Sequence, residues 1–331
     1  MRILVTGATG FVGSALIPIL ASHGHHIRAA VRRPGAAPVP DSVVTGDIGP
    51  DTDWSCALRG IDAVIHLAAR VHHMDDPADP SEAIEAYRRI NVEGTRRLAE
   101  AAARAGVRRM VFVSTIKAVT ENSGDRPVTE ATPPAPETAY GISKLEAERA
   151  LTAVGARTGL ETVILRPPLV YGPGVGANFL RLLALCRHAP PLPLGAIENR
   201  RSLIFVENLA GAITLCVEHP KAAGGCFLVH DGRTLSTPEL IRTLAATLDR
   251  PTRLFSVPPP LLRGALKLVG KGDAYERLAA SLELDDGALR RGLGWQPFWS
   301  QEDGLRLTAE WFNASADLTN GTTNGTTKGT S

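Results

Sequence analysis

Tyr140 and Lys144 stand four residues apart in Tyr140-Gly-Ile-Ser-Lys144, near the start of a predicted helix over Ala139–Val154. That spacing sets both side chains on one helix face. A free phenol has a pKa of about 10 and is a poor base at neutral pH. An adjacent ammonium favours the phenolate and lowers that value, so the pair could pass a proton to or from an alcohol oxygen. Ser114-Thr115 ends a short apolar run from Val111, and Thr115 lies 25 residues upstream of Tyr140. A hydroxyl there could hydrogen-bond and orient the same oxygen. Each feature has a plainer reading: a surface helix with an unremarkable Tyr and Lys, and a Ser-Thr pair that caps a turn.

Such groups act only if the chain brings them beside a reactive partner, and the first residues indicate one. A short apolar run, Ile3 to Val5, is followed at once by Gly7, Gly10 and Gly13 and then by the helical pattern Val12, Leu16, Ile19 and Leu20. Strand, glycine turn and helix is the layout of a dinucleotide-binding first unit. Gly7 permits a sharp turn, Gly10 lets backbone N–H groups approach a pyrophosphate, and Gly13 allows the helix to pack closely on the sheet. The helix start adds unpaired N–H groups and the positive end of its dipole. A bound oxidised nicotinamide would add positive charge near Tyr140.

Further strands are predicted at Ile27–Val31, Val43–Thr45, Ala63–Ala69, Val111–Ser114 and Thr162–Leu165, with a helix over Arg88–Ala105. Strands apolar on both faces and separated by helices predict an α/β fold, a Rossmann-type doubly wound parallel sheet. After Arg166 prolines and glycines cluster, which predicts a smaller C-terminal substrate lobe with returning sheet elements. The expected division is residues 1–165 for the dinucleotide domain, 166–315 mainly for the lobe, and 316–331 for a polar, repetitive, disordered tail.

The chain has 331 residues, is 44% hydrophobic and has a formal charge of +2. This suffices for one large α/β unit and shows no footprint of nucleic-acid binding. Cys56, Cys186, Cys216 and Cys226 are scattered, without metal-ligand spacing. Disulfides, structural zinc and a metal site are therefore not expected, and a reducing cytoplasm fits. No long apolar run predicts a membrane span, and the early core strand leaves no room for a signal peptide.

Gly7-x-x-Gly10-x-x-Gly13, Asp47-Ile48, His66-Leu-Ala-Ala69, Asn91, Ser114-Thr115, Tyr140-x-x-x-Lys144 and Arg166-Pro-x-x-Val-Tyr-Gly172 occur in that order. Over roughly residues 1–312 this resembles the extended short-chain dehydrogenase/reductases, in their nucleotide-sugar epimerase/dehydratase branch. The resemblance implies that Thr115, Tyr140 and Lys144 are the catalytic trio. It implies dinucleotide contacts from Gly7, Thr9, Gly10, Phe11, Val12, Gly13, Ser114, Tyr140 and Lys144. Asp47 and Ile48 would hold the adenine, Leu67, Ala68 and Ala69 would line the channel, and Pro167 would abut the nicotinamide. Asn91 would support the active-site helix, with a plain interior Asn as the rival reading. It implies a UDP-sugar substrate and a homodimer.

Arg32 ends the second strand where an acid gripping an NAD ribose would stand, about 20 residues past the glycines. A guanidinium there suits a 2′-phosphate, so NADP is preferred, with NAD as the alternative. Asn178 and Arg201 resemble contacts to the substrate diphosphate, and Arg277 is a weaker candidate. Lys117 and His72 would touch the sugar or stand idle at the rim. Dehydratases of this branch carry Asp-Glu after the threonine, where this chain has Ile116-Lys117, so dehydration is disfavoured. The chain is most similar to a subgroup that reduces the C4 ketone of UDP-4-keto-6-deoxy-N-acetylhexosamines for surface polysaccharide. A UDP-hexosamine 4-epimerase with tightly held NAD is the alternative, and a non-catalytic dinucleotide sensor or scaffold is the second.

His23, His25 and His26 read as a surface loop rather than a metal site. Pro258 to Val269 contains an apolar helical stretch that could dock on a partner or membrane-bound transferase, with packing within the lobe as the preferred reading.

Overall fold

Ile3, Leu4 and Val5 are fully buried because β1 (Arg2–Thr6) lies in the middle of a sheet covered on both sides. The computed structural model describes residues 1–36, 39–71, 79–268, 270 and 272–323. β1 pairs in parallel with β2 (His26–Val31) and β4 (Ala63–His66). β3 (Ser42–Val44), β5 (Arg109–Val113), β6 (Glu161–Arg166) and β9 (Cys226–Leu228) complete a seven-stranded sheet. Its order is β3-β2-β1-β4-β5-β6-β9, and every neighbouring pair is parallel. The doubly wound α/β fold expected from the sequence is thus present, and β9 is the returning strand.

Alternate strand residues feed two cores, as the pleat requires. Ile3, Val5, Ile65, Val111 and Val163 pack with α1 (Phe11–Ser22) and α6 (Val206–Glu218) through Leu16, Leu20, Ile213 and Val217. Leu4, Val64, Met110 and Phe112 pack with α3 (Gly94–Arg104) and α4 (Ala139–Thr158) through Leu98, Ala102, Leu151 and Val154.

A third core belongs to a second sheet that the sequence reading did not foresee. β8 (Arg201–Phe205) pairs in parallel with β7 (Leu169–Tyr171) and antiparallel with β10 (Thr234–Leu235). Phe179 and Leu183 of α5 (Ala177–His188) and Leu240 and Leu244 of α7 (Thr237–Thr247) pack there with Leu203, Phe205 and Leu305. α8 (Pro259–Leu268), α9 (Gly272–Ala279) and α10 (Gly287–Leu293) follow.

Several boundaries differ from those read in the sequence, α4 for one running on to Thr158. The helix expected over 88–105 is α2 (Pro80–Tyr87), a π-helical turn Arg88–Glu93, and then α3. β4 ends at His66, so Leu67–Ala69 form a loop. α11 (Gln301–Thr323) runs into the segment expected to lack structure, of which 324–331 lie outside the described residues.

Candidate active site

The glycine turn is built for close approach. Gly7 has φ +70°, and a Cβ on it would lie 2.8 Å from the Ala68 nitrogen. On Gly13 a Cβ would lie 2.4 Å from the Gly7 carbonyl oxygen. Gly10 donates its N–H to that oxygen at 3.0 Å and caps α1 without any side-chain hydrogen bond. Thr9 and Gly10 are exposed at the turn, while Phe11 and Val12 are half-buried. The opening N–H groups of α1 thus face out over a cradle that side chains do not fill, which suits a pyrophosphate.

The loop after β4 is held against this cradle by buried polar contacts. The Ala68 N–H donates to Thr6 Oγ1 at 3.3 Å, and Thr6 Oγ1 lies 2.6 Å from His66 Nδ1. His66 Nε2 lies 3.0 Å from Thr95 Oγ1. Burial, aided by the nearby Lys144 charge, brings the His66 imidazole down to about 3, so it is neutral here. At the far end of the cradle, Arg32 is 80% exposed at its side chain and lies 3.8 Å from the Asp47 carboxylate. Ile48 packs so closely on Gly94 that a Cβ there would meet it at 2.7 Å.

Local packing brings the trio's backbones together. Thr138 caps α4 by accepting the Gly141 N–H at 3.2 Å. A Cβ on Gly141 would lie 2.3 Å from the Lys117 carbonyl oxygen, so the first turn of α4 sits directly on the turn Ile116–Ala118. Thr115 opens that turn, its Oγ1 accepting the Lys117 N–H at 3.3 Å. The Ile116 N–H donates to the carbonyl oxygen of buried Pro167 at 2.9 Å, tying this turn to the end of β6. Tyr140 is half-buried, with its ring edge-on to Tyr87 at 6.3 Å between centroids.

The proton chemistry read from the sequence needs one correction. Burial pushes the Tyr140 phenol up to about 12, opposite to the expected lowering. Lys144 is 1% exposed, donates from Nζ to the Val113 carbonyl oxygen at 2.8 Å, and stands 3.9 Å over the Phe112 ring. Its own pKa falls to about 7 by burial, against the opposing charge of Glu148. The ammonium is therefore turned toward β5 and is itself desolvated, so it does not compensate the phenol's burial.

Glu148 went unnoticed in the sequence, although it continues the four-residue spacing of Tyr140 and Lys144. It is 3% exposed and accepts from Ser114 Oγ at 2.5 Å and from Arg166 Nη2 at 2.6 Å. Asn91, in the π-helical turn, accepts the Arg70 N–H at 2.8 Å and donates to the Arg70 carbonyl oxygen at 3.0 Å and to Ser143 Oγ at 2.9 Å. It thus pins the loop after Ala69 to the helix carrying Tyr140 and Lys144. The Arg70 guanidinium lies 5.5 Å from the centre of the Tyr87 ring.

The expected substrate contacts are more dispersed. Lys117 is exposed and paired with Glu121 at 2.8 Å. Asn178 is exposed near the start of α5, and Arg201 opens β8, where burial lowers its pKa. Arg277 lies in α9, with its side chain outside the described residues, and His72 falls outside them altogether. A cavity of about 450 Å³ lined by Arg200, His230, Arg233 and Glu283 includes none of the trio. His23 and His25 both bond Glu218, at 3.1 and 2.8 Å. Among the described residues no group of three His, Cys, Asp or Glu could hold a metal, and no helix is long and apolar enough to cross a membrane.

Comparison with known proteins gives this geometry a setting. The family model described as "NAD dependent epimerase/dehydratase family" matches residues 3–228. A Vibrio cholerae protein named UDP-glucose 4-epimerase is 41% identical over 315 residues, covering 94% of this chain and 95% of its own. The structure of MoeE5 in complex with UDP-glucose and NAD superposes with a TM-score of 0.74 at 28% identity, covering 96% of this chain and 100% of that one. DesIV, a dTDP-glucose 4,6-dehydratase from Streptomyces venezuelae with NAD and TYD bound, does so with a TM-score of 0.74 at 26% identity, covering 96% and 98%.

Proposed function

Because the chain belongs to the NAD dependent epimerase/dehydratase family, we propose that it inverts C4 of a UDP-hexose, working as a 4-epimerase with NAD. One observation carries the reading: the first turn of α4, bearing Tyr140 and leading to Lys144, is packed through Gly141 onto the turn opened by Thr115. This assembly stands at the carboxyl edge of the parallel sheet, where ligands bind in open α/β folds.

When bound, the dinucleotide supplies a hydride acceptor and donor. Gly7, Thr9, Gly10, Phe11, Val12 and Gly13 would hold its pyrophosphate, Arg32, Asp47 and Ile48 its adenosine end, and Leu67, Ala68, Ala69, Ser114 and Pro167 the walls of the channel. Thr115 would hold the O4 oxygen of the sugar. Tyr140, as the phenolate, would take the O4 proton as C4 is oxidised and return it when the C4 ketone is reduced from the other face. The phenol that burial pushes up to about 12 would first have to give up its proton, which the positive charge of a bound oxidised nicotinamide favours. Lys144 stands one helical turn away, with its Nζ held by the Val113 carbonyl oxygen and its pKa lowered by burial. Asn178 and Arg201 would hold the diphosphate, with Lys117 at the sugar rim. Ile116-Lys117 in place of an Asp-Glu pair argues against dehydration.

A second reading rests on Arg32, whose exposed guanidinium at the end of β2 suits the 2′-phosphate of NADPH and hence net reduction of a UDP-4-keto-6-deoxy-N-acetylhexosamine. Purified protein is incubated with UDP-glucose and with UDP-N-acetylglucosamine without added cofactor, and the C4 epimers are separated by chromatography. Interconversion is the expected result. NADPH consumption with the 4-keto sugar and no epimer would replace the epimerase by the reductase. Tyr140→Phe should cut turnover by ~10²–10⁴-fold while leaving the fold intact. A variant turning over at the parent rate would remove Tyr140 from both readings. A homodimer belongs to the same proposal and is read from the mass in solution by light scattering.

A further inference from the structure

Taking Thr115 and Tyr140 as the groups that meet the sugar oxygen in the proposed reaction, we infer that Glu121 is a positioning residue. Its carboxylate clamps the turn opened by Thr115 to the cap of α4, and so fixes the Thr115 hydroxyl relative to the Tyr140 phenol.

The two oxygens of Glu121 reach two different backbone segments. Oε1 accepts the Thr138 hydroxyl at 3.1 Å, and Thr138 Oγ1 in turn accepts the Gly141 N–H at 3.2 Å. A threonine hydroxyl has one hydrogen to give, and directing it to Glu121 leaves a lone pair for the Gly141 N–H. A charged acceptor also polarises that hydroxyl and strengthens the cap. Oε2 pairs with Lys117 Nζ at 2.8 Å. Lys117 belongs to the other segment: its N–H is held by Thr115 Oγ1 at 3.3 Å, and its carbonyl oxygen lies against Gly141.

The clamp stands on a fixed base. The Ser123 N–H donates to the Ser281 carbonyl oxygen at 2.8 Å, and Ser123 Oγ accepts the Glu283 N–H at 3.1 Å. Leu282, between those two, is bonded to the start of β8. Its N–H donates to the Arg200 carbonyl oxygen at 2.8 Å, and its own carbonyl accepts the Ser202 N–H at 2.9 Å. The loop bearing Glu121 is therefore pinned to the segment that lies along Arg201, not left as a free arm. A lone carboxylate two residues from Tyr140 in space-filling contact with its helix cap would oppose the phenolate. The Lys117 ammonium offsets that charge, so the acid can hold α4 without disfavouring the reactive form of Tyr140.

Glu121→Ala and Glu121→Gln in the full-length protein separate the clamp from the fold. The first removes both contacts, and the second keeps an oxygen for Thr138 while giving up the ion pair. Lys117 and Glu121 are 45% and 27% exposed at their side chains, and such pairs add little stability, so both variants should melt like the parent. In the epimerase assay kcat should fall ~10-fold or more in Glu121→Ala, as a small misplacement of reacting groups implies, and return to within ~3-fold of the parent in Glu121→Gln. KM for UDP-glucose should be alike in the two variants, because both release Lys117. Hydrogen exchange at the Gly141 amide reads the cap without any substrate. It should quicken ~3–10-fold in Glu121→Ala, as the weakening of one hydrogen bond implies, and stay near the parent in Glu121→Gln. Unchanged exchange in Glu121→Ala overturns the proposal, as does an equal loss of kcat in both variants or a thermal midpoint that falls in step with kcat. A parent that neither epimerises UDP-glucose nor consumes NADPH would remove the proposed function, and exchange at Gly141 would still decide whether Glu121 holds the cap.

Discussion

Glu148 and Asp231 are buried carboxylates that stand at the strand ends of the two sheets, and they are satisfied in opposite ways. Glu148 joins Ser114 after β5 to Arg166 at the end of β6, and its charge is met by a guanidinium at 2.6 Å. Asp231 joins the ends of β7 and β8 with neutral donors. It accepts the Tyr171 hydroxyl at 2.7 Å, the Phe205 N–H at 3.0 Å to both oxygens, and the Asn208 amide at 2.8 Å. Burial raises the Asp231 pKa and drives that of Tyr171 far upward, so the phenol keeps its proton and donates. The contrast follows from what each site serves. Glu148 lies one turn from Lys144 and places its charge beside a lysine that burial is discharging, whereas Asp231 only stitches the second sheet to α6, its donors Tyr171 and Asn208 reaching on to the carbonyls of Gln301 and Trp299.

If charge pairing is what distinguishes the two, removing half of each arrangement should have unequal costs. Glu148→Gln strands the buried Arg166 guanidinium and should cost about 3–5 kcal/mol in urea unfolding. Replacing both partners, Glu148→Leu with Arg166→Met, should recover much of that loss, because no unpaired charge remains. A double variant as weak as the single one would break the argument. Asp231→Asn keeps one acceptor oxygen but turns an amide donor toward other donors, and should cost about 1–3 kcal/mol. A loss equal to that of Glu148→Gln would erase the distinction.

Titration separates the regions by sign. His66, beside the first sheet's cradle, has a native pKa of about 3 against an unfolded 6.5. The unfolded chain binds its proton first, so stability falls as pH drops from 6.5 through 3, by up to about 1.4 kcal/mol per unit. Lys144 behaves alike at higher pH: with a native value of about 7 against 10.5, its burial makes stability rise across that interval. Asp231 runs the other way. Its native pKa lies above 3.8, so its protonated form stabilises the fold at low pH and that contribution fades as pH rises through the native value. Urea midpoints measured against pH for the parent and His66→Gln should differ in slope between 6.5 and 3. Parallel curves would contradict the neutral, buried imidazole. The smallest effect is expected for Tyr171→Phe, about 1 kcal/mol, since three other hydrogen bonds to Asp231 survive.

Much of the first sheet was legible because its signals are local. The apolar run Ile3–Val5 followed by Gly7, Gly10 and Gly13 encodes strand, turn and helix within thirteen residues, and the spacing of Tyr140 and Lys144 encodes a shared helix face. The second sheet carries weaker signals: β10 has two residues and β7 three, too short for a period to declare itself. The break at Arg88–Glu93 was equally hidden, since it is a single π-helical turn set between α-helical stretches.

Local sequence was enough for the strand, glycine turn and helix that open the chain and for the helix face shared by Tyr140 and Lys144, because glycine geometry and helical spacing act between near neighbours. The state of Tyr140 and Lys144 came from packing across the fold. Lys144 donates to the Val113 carbonyl oxygen and stands over the Phe112 ring, Tyr140 is desolvated, and Glu148 is bound to a residue eighteen positions away. A pKa is set by burial and by charges across space, and neither can be read from the positions of residues along a chain.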